Sequence, residues 1–195
     1  MTRKIYSLEG AIGVGKSTIL TELEKLGVKV FPEPVAEWED GLRAFYRQGA
    51  NSVGAIELQK LITNSLLNRH EEMLRHSGPK VMERSLNSAL GIFTLQNMQS
   101  FPHPQWSEPV HAMMRGMMKY ETNLEMIAVT LNPDTMIQRT INRGGPEAAS
   151  NEMYMRQIYR ACTDFQHARC KHTVHTDRQS PSVVAKIIYD QILTQ

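Results

Sequence analysis

The sequence has little cysteine, no long apolar run and almost no excess of one charge. Its 195 residues include two cysteines, Cys162 and Cys170, without a Cys-x-x-Cys pair, so neither a zinc site nor a redox pair is indicated. No apolar stretch approaches the ~18 residues of a membrane span, and no signal peptide is recognisable. We therefore expect a cytoplasmic protein with reduced thiols.

The charge balance gives no reason to expect a nucleic-acid or membrane partner. The chain carries 22 basic and 20 acidic residues, a formal net charge of +2. Its length suits one domain over residues 1–195. Methionine is frequent, and we expect the following six to fill the core: Met113, Met114, Met117, Met118, Met126 and Met136.

Alternating apolar and helical stretches indicate the fold class. Five short apolar runs are interpreted as buried strands: Lys4–Leu8, Val28–Phe31, Lys80–Glu83, Met126–Leu131 and Thr173–Thr176. Helices are predicted at Lys16–Leu26, Ile56–His76, Ser88–Met98, Pro109–Thr122, Pro133–Asn142, Glu152–Ala168 and Ser182–Leu193. This alternation predicts an α/β fold, a five-stranded parallel sheet with helices on both faces. The Pro-rich stretch Ser100–Pro109 is expected to be a surface loop, and the polar connector Asn142–Glu152 has the composition of a mobile lid.

The segment LEGAIGVGKSTI contains the pattern G-x-x-x-x-G-K-[S/T] between a predicted strand and a predicted helix. In this pattern, glycines allow backbone N–H groups to point at a phosphate, a lysine contacts the β- and γ-phosphates, and a hydroxyl faces Mg²⁺. The predicted ATP-binding residues here are Gly10, Ala11, Gly13, Val14, Gly15, Lys16, Ser17 and Thr18. The motif alone does not distinguish kinases, GTPases, motor ATPases and synthetases.

Charged residues follow the second and third predicted strands, where a parallel sheet binds its ligands. Glu33, in FPEPVAEW, lies where a phosphoryl acceptor would approach, and it could take a proton from a hydroxyl. Without further context, a solvated loop acid is an equally good interpretation of Glu33. In MERS, Glu83 is expected to face Mg²⁺, and Arg84 to offset negative charge on the transferring phosphoryl group.

Together, the P-loop, PEPVAEW and MERS resemble the deoxyribonucleoside kinase family, the group of deoxycytidine kinase and mitochondrial thymidine kinase. The resemblance extends along most of the chain, through LQKLITNSLLNRH, MERSLNSALGIF and RTINRGGPE. It implies a P-loop kinase fold with a lid at about 139–152, ATP and Mg²⁺ as donor and metal, and a homodimer. The compact chain suggests a viral member, which would act in the host-cell cytoplasm.

The resemblance also implies roles for individual residues. Glu33 would be the general base towards the nucleoside 5′-hydroxyl, Arg84 would steady that region, and Ser17 and Glu83 would hold Mg²⁺. Gln59 would make a two-point hydrogen bond to the base, an amide having a donor and an acceptor side by side. The other implied substrate contacts are Trp38 and Phe93 at the nucleoside, and Tyr46 and Glu147 at the sugar 3′-hydroxyl. Arg139 and Arg143 would bend over the phosphates.

Two positions indicate which base is bound. Ala89 stands where deoxycytidine-type enzymes have aspartate, and Leu66 stands where they have arginine. A small and an apolar side chain leave room for the 5-methyl of thymine, so thymidine is predicted as preferred and deoxycytidine as weaker. Two departures from the family are a glycine, Gly145, in place of a third lid arginine, and a short connection before the fourth strand, where the family's dimer helices lie.

Two other functions remain open at this stage. A nucleoside monophosphate kinase, such as a thymidylate kinase, shares the P-loop and the sheet, but an acid at Glu33 would repel an acceptor phosphate. A non-catalytic, nucleotide-binding regulator would bind ATP without turning over a nucleoside. Five residues together would have no purpose in such a protein: Glu33, Gln59, Glu83, Arg84 and Phe93.

Overall fold

A computed structural model describes residues 5–47, 52–144 and 152–193. Its centre is a five-stranded sheet in the order β2-β3-β1-β4-β5, in which the four pairs of neighbouring strands are parallel. The strands are β1 Ile5–Glu9, β2 Lys29–Phe31, β3 Lys80–Glu83, β4 Leu124–Thr130 and β5 His172–His175. The sequence prediction of a five-stranded parallel α/β fold is confirmed.

The helices lie in the connections between strands. Their bounds are α1 Lys16–Lys25, α2 Glu39–Arg47, α3 Ser52–Leu74, α4 Leu86–Ser88, α5 Leu95–Ser100, α6 Ser107–Tyr120, α7 Pro133–Arg143, α8 Glu152–Arg169 and α9 Pro181–Ile188. A π-helical segment, Ala89–Thr94, joins α4 to α5, and a second, Tyr189–Leu193, extends α9. Local sequence explains where two of the helices begin. Helices α7 and α9 each start with a proline, which follows a capping side chain, Asn132 and Ser180 respectively.

Both faces of the sheet are covered. Neighbouring residues of a strand point to opposite faces, and on β3 they enter different apolar clusters. Val81 packs in the large cluster that includes residues of α1, α8 and α9, whereas Met82 packs with Met73 of α3. A third cluster contains Trp38 together with residues of α3, α6 and the start of α4. That third cluster lines one of the two cavities described below.

Three details differ from the sequence prediction. Helix α2 was not predicted, because only Leu42 and Phe45 mark its apolar side over nine residues. The Pro-rich stretch is not wholly a surface loop, since Trp106 is buried against Ala55 and Ile56. The methionine prediction was wrong for Met114 and Met118, which are 49% and 77% exposed. Sequence spacing did not separate the two faces of α6, where the buried Met113 alternates with these exposed side chains.

Within the described ranges, the helices are all too short or too polar to cross a membrane.

Candidate active site

The loop between β1 and α1 has the geometry of a phosphate cradle. Gly13 and Gly15 adopt left-handed backbone conformations, with φ of 84° and 103°. A Cβ at Gly10 would lie 2.4 Å from the carbonyl oxygen of Val129, and one at Gly13 would lie 2.5 Å from the hydroxyl of Thr140. Glycine is therefore required at both positions by close packing, and at Gly13 also by backbone conformation.

Lys16 is buried beside this loop. Its Nζ donates to the carbonyl oxygens of Gly10 at 3.2 Å and Ala11 at 3.0 Å, and lies 3.7 Å from Glu83. Burial, together with the nearby charge of Arg84, lowers the pKa of Lys16, while the neighbouring carboxylates oppose this change. A cation held in this way is placed to contact anionic oxygens in the loop.

Ser17 and Glu83 form a hydroxyl–carboxylate pair between α1 and the end of β3. The Ser17 hydroxyl donates to both carboxylate oxygens of Glu83, at 2.9 and 3.1 Å. Hydroxyl and carboxylate oxygens are the ligands that Mg²⁺ takes in phosphoryl-transfer sites. The donor set therefore fits a magnesium ion that also contacts phosphate oxygens.

Glu33 and Arg84 meet beyond the ends of β2 and β3. Arg84 Nε lies 3.0 Å from Glu33 Oε1, and its guanidinium stacks over the Phe93 ring at 4.3 Å. Arg84 has a positive φ of 62°, and its N–H donates to Leu8. Although burial opposes the charge, Glu33 and other carboxylates raise the pKa of Arg84 above its ordinary value. Such backbone strain in a charged residue is typical of functional sites.

Two cavities meet at this ion pair. The phosphate-side cavity measures about 690 Å³ and includes the P-loop, Glu83 and Thr176 in its lining. The second, about 90 Å³, lies among α2, α3 and the Ala89–Thr94 segment. Both are lined by Glu33 and Arg84, and also by Ile12 and Val35. Among the described residues, Glu33 and Arg84 are therefore the charged side chains beside which a group in one cavity would meet a group in the other.

The smaller cavity contains most of the predicted nucleoside residues. Trp38, Gln59, Ala89 and Phe93 all line it. Leu66 does not: it is fully buried in the cluster that contains Trp38, and Ile62, one helical turn earlier, lines the cavity instead.

Of the other predicted contact residues, the structure places two arginines at a cavity and leaves the remaining side chains undescribed. Arg139 and Arg143 line the phosphate-side cavity from the last turns of α7. Tyr46 belongs to α2, and its side chain is not described; Glu147, Gly145 and most of the expected lid lie outside the described residues.

Sequence reasoning missed several side chains at the site besides Ile62, including Asn97, Tyr154 and Arg69. Asn97 and Tyr154 line the smaller cavity, and Arg69 is buried behind Glu83 and Arg84. Asn97 follows Phe93 by four residues, so helical spacing could have indicated it. Arg69 gave no signal, because nothing in the sequence distinguishes it from a solvated arginine on a helix.

A P-loop, a carboxylate–hydroxyl pair and an acid–arginine pair between two cavities define a P-loop phosphotransferase. A family model for deoxynucleoside kinase matches residues 6–190. The chain therefore belongs to the deoxynucleoside kinase family, as the sequence motifs predicted. A search of the curated proteins gave no match.

Solved structures of deoxyadenosine kinase from M. mycoides share the fold. The structure with the products dCMP and dCDP has a TM-score of 0.75 at 18% identity, covering 98% of this chain and 100% of the other. The structure with dCTP has a TM-score of 0.76 at 16% identity, with the same coverage of both chains. The structure with dATP has a TM-score of 0.74 at 18% identity, covering 96% of this chain and 97% of the other.

Proposed function

We propose that the chain transfers the γ-phosphoryl group of ATP to the 5′-hydroxyl of a deoxyribonucleoside, preferring thymidine and accepting deoxycytidine, in nucleotide salvage. The observation that carries this proposal is the Glu33–Arg84 pair at the junction of the phosphate-side and smaller cavities. A nucleoside in the smaller cavity would present its hydroxyl at this junction. Glu33, which is only 18% exposed there, is suited to accept the hydroxyl proton.

The phosphate side supports an in-line transfer. Lys16, with Arg139 and Arg143, would balance the charge on the donor phosphates, and Arg84 would offset charge near the attacking oxygen. When bound at Ser17 and Glu83, Mg²⁺ would neutralise charge on the phosphate oxygens. The protein's part is to hold donor and acceptor in line, because phosphoryl transfer depends mainly on positioning and electrostatics.

The preference for thymidine rests on the size and polarity of the smaller cavity. Ala89 is a small and uncharged lining residue, which leaves room for the 5-methyl of thymine. The Gln59 amide offers one donor and one acceptor, which matches the O4 and N3–H edge of thymine. A methyl group contributes only about 1 kcal/mol, so the expected preference is moderate.

We further propose a homodimer through the exposed apolar residues of α3 and α6. Leu61, Met114 and Met118 are 42%, 49% and 77% exposed, and α3 packs directly against α6. An apolar surface on adjacent helices is typical of a contact between copies. Sedimentation of the protein and of a Met118→Glu variant tests this, since only the wild type should dimerise.

A coupled kinase assay tests the function. Thymidine, deoxycytidine, deoxyadenosine and thymidine monophosphate are each assayed with ATP and Mg²⁺, and 5′-deoxythymidine serves as a matched analogue without the acceptor hydroxyl. We expect turnover of thymidine first and deoxycytidine second, with inhibition but no turnover by 5′-deoxythymidine. Higher kcat/KM for deoxyadenosine would overturn the base preference. Turnover of the monophosphate alone would overturn the acceptor and favour a thymidylate kinase.

A further inference from the structure

Arg69 is a buried arginine on α3 whose side chain reaches the ends of two strands. It is 6% exposed. Its Nη1 donates to the carbonyl oxygen of Glu83 at 2.6 Å and more weakly to that of Pro32 at 3.4 Å, and its Nη2 donates to that of Arg84 at 2.6 Å. A single planar guanidinium therefore donates to two successive carbonyl groups at the end of β3 and to one carbonyl group just after β2.

These bonds begin where the sheet stops. The ladder between β2 and β3 ends with the pair Phe31↔Met82. Glu33 and Arg84, which form the ion pair at the cavity junction, lie two residues beyond that pair on their respective segments. Arg69 thus bridges the two segments just where backbone pairing no longer holds them together.

The geometry requires an arginine. The Arg84 backbone is in the left-handed region, with φ of 62°, so the carbonyl groups on either side of its Cα do not continue the strand pattern. Buried carbonyl groups need donors. The fork of a guanidinium can supply two parallel donors to them, whereas a lysine ammonium is a single point on a flexible stem.

The surroundings favour a cation at this place. Burial lowers the pKa of Arg69, and carboxylates oppose this change, in the order Glu33, Glu83, Glu121 and Glu9. Arginine keeps its proton in such settings more firmly than lysine does. The charge therefore balances the acids around the cavity junction.

We infer that Arg69 is a positioning residue, which fixes the separation of Glu33 from Arg84 by tying the end of β2 to the end of β3. It lines neither cavity, so it acts through these two side chains and not on the substrate. The kinetic part of this inference rests on the proposed function, whereas its structural part does not.

The test compares Arg69→Lys with a matched control. Lys80 is also a buried cation, 4% exposed, and it donates to the carbonyl oxygens of Met73 and His76 at 2.9 and 2.7 Å. It lies at the amino end of β3, remote from the cavities. Lys80→Met therefore removes a comparable buried cation without touching the cavity junction.

The kinetic arm measures kcat and KM for thymidine and ATP, normalised to the folded fraction from thermal unfolding. We expect Arg69→Lys to lower kcat by about 100-fold, because a misplacement of about 1 Å has this effect. Both KM values should change by less than about threefold, since binding in the two cavities is retained. Lys80→Met should keep the wild-type kcat. An equal fall of kcat in both variants, or unchanged kcat in Arg69→Lys, would overturn the inference.

The structural arm uses crystal structures of the wild type, Arg69→Lys and Lys80→Met, all without substrate. We expect the Glu33–Arg84 contact of 3.0 Å to open in the variant and to persist in Lys80→Met. An intact contact in Arg69→Lys would overturn the inference, whatever the kinetics. If the wild type phosphorylates no deoxynucleoside, the proposed function fails and this arm alone decides the role of Arg69. Should Arg69→Lys not fold, Arg69→Gln, which keeps two donors on one amide, takes its place.

Discussion

The two cavities are built in different ways. The phosphate-side cavity is centred on a run of consecutive residues, 12–19, to which other segments add mainly charged and polar side chains. The smaller cavity depends on side chains from α2, α3, the Ala89–Thr94 segment and α8, which are distant in sequence. The first cavity therefore rests largely on one local loop, whereas the second is a product of tertiary packing that a few substitutions can reshape.

The largest effect expected on ligand binding separates the two cavities. Lys16→Met keeps the side-chain length but removes the buried charge that would face the phosphates. We expect ATP affinity to fall by about 100-fold, because two charge-assisted contacts at about 1.5 kcal/mol each are lost. Thymidine affinity should change little. Isothermal titration with a non-hydrolysable ATP analogue and with thymidine checks this.

The control for Lys16→Met is Lys25→Met on the same helix, whose side chain is 65% exposed. It should bind both ligands as the wild type does. Equal losses of ATP and thymidine affinity in Lys16→Met would show that the cavities are not independent.

A substitution at Ala89 should change which base is preferred without changing the binding of ATP, the phosphate donor. In Ala89→Asp, the carboxylate would face the O4 carbonyl of thymine but accept a bond from the amino group of cytosine. We expect the ratio of kcat/KM for deoxycytidine over thymidine to rise by about tenfold or more, with the KM for ATP unchanged. Ala89→Ser, which adds a hydroxyl without a charge, is the control. A ratio that stays constant would remove Ala89 from base selection.

A smaller effect is expected at Asn97, which lines the smaller cavity one turn beyond Phe93. Asn97→Leu keeps the shape and removes the amide. We expect kcat/KM for thymidine to fall by about fivefold, since one neutral hydrogen bond contributes about 1 kcal/mol. The measurement is steady-state kinetics beside Gln99→Leu, an exposed position on the same helix. A rise in thymidine turnover would mean that the amide opposes this base.

The same contrast explains what sequence alone could predict. The P-loop and the alternation of strands and helices follow from local pattern, because each is encoded by neighbouring residues. The role of Glu33 followed only from the family resemblance, since its local context equally fits a solvated loop acid. Sequence could not show that Ile62 and not Leu66 lines the cavity, since both are apolar residues of α3. Only the packing of α3 decides between them: Leu66 is buried in the cluster with Trp38, and Ile62 faces the cavity. Helix α2 was missed because its apolar side is short and faces the smaller cavity.

Arg69 marks the limit of sequence reasoning most clearly. Its role depends on carbonyl groups that are exposed only because the β2–β3 ladder ends at Phe31 and Met82. No sequence motif indicates that Arg69 contacts these carbonyl groups. The residues that could be predicted are those of the phosphate-side cavity and its junction, whereas those that support them required the structure.

The most direct test of the central claim is the effect of Glu33→Gln on kcat for thymidine, measured together with ATP affinity. The substitution keeps the shape of the side chain and removes its ability to accept the hydroxyl proton as a carboxylate. We expect kcat to fall by about 1,000-fold, within the range of general-base catalysis, while ATP binds as in the wild type. Unchanged kcat in Glu33→Gln would show that Glu33 is not the base, because transfer between the two cavities would then need no base at their junction.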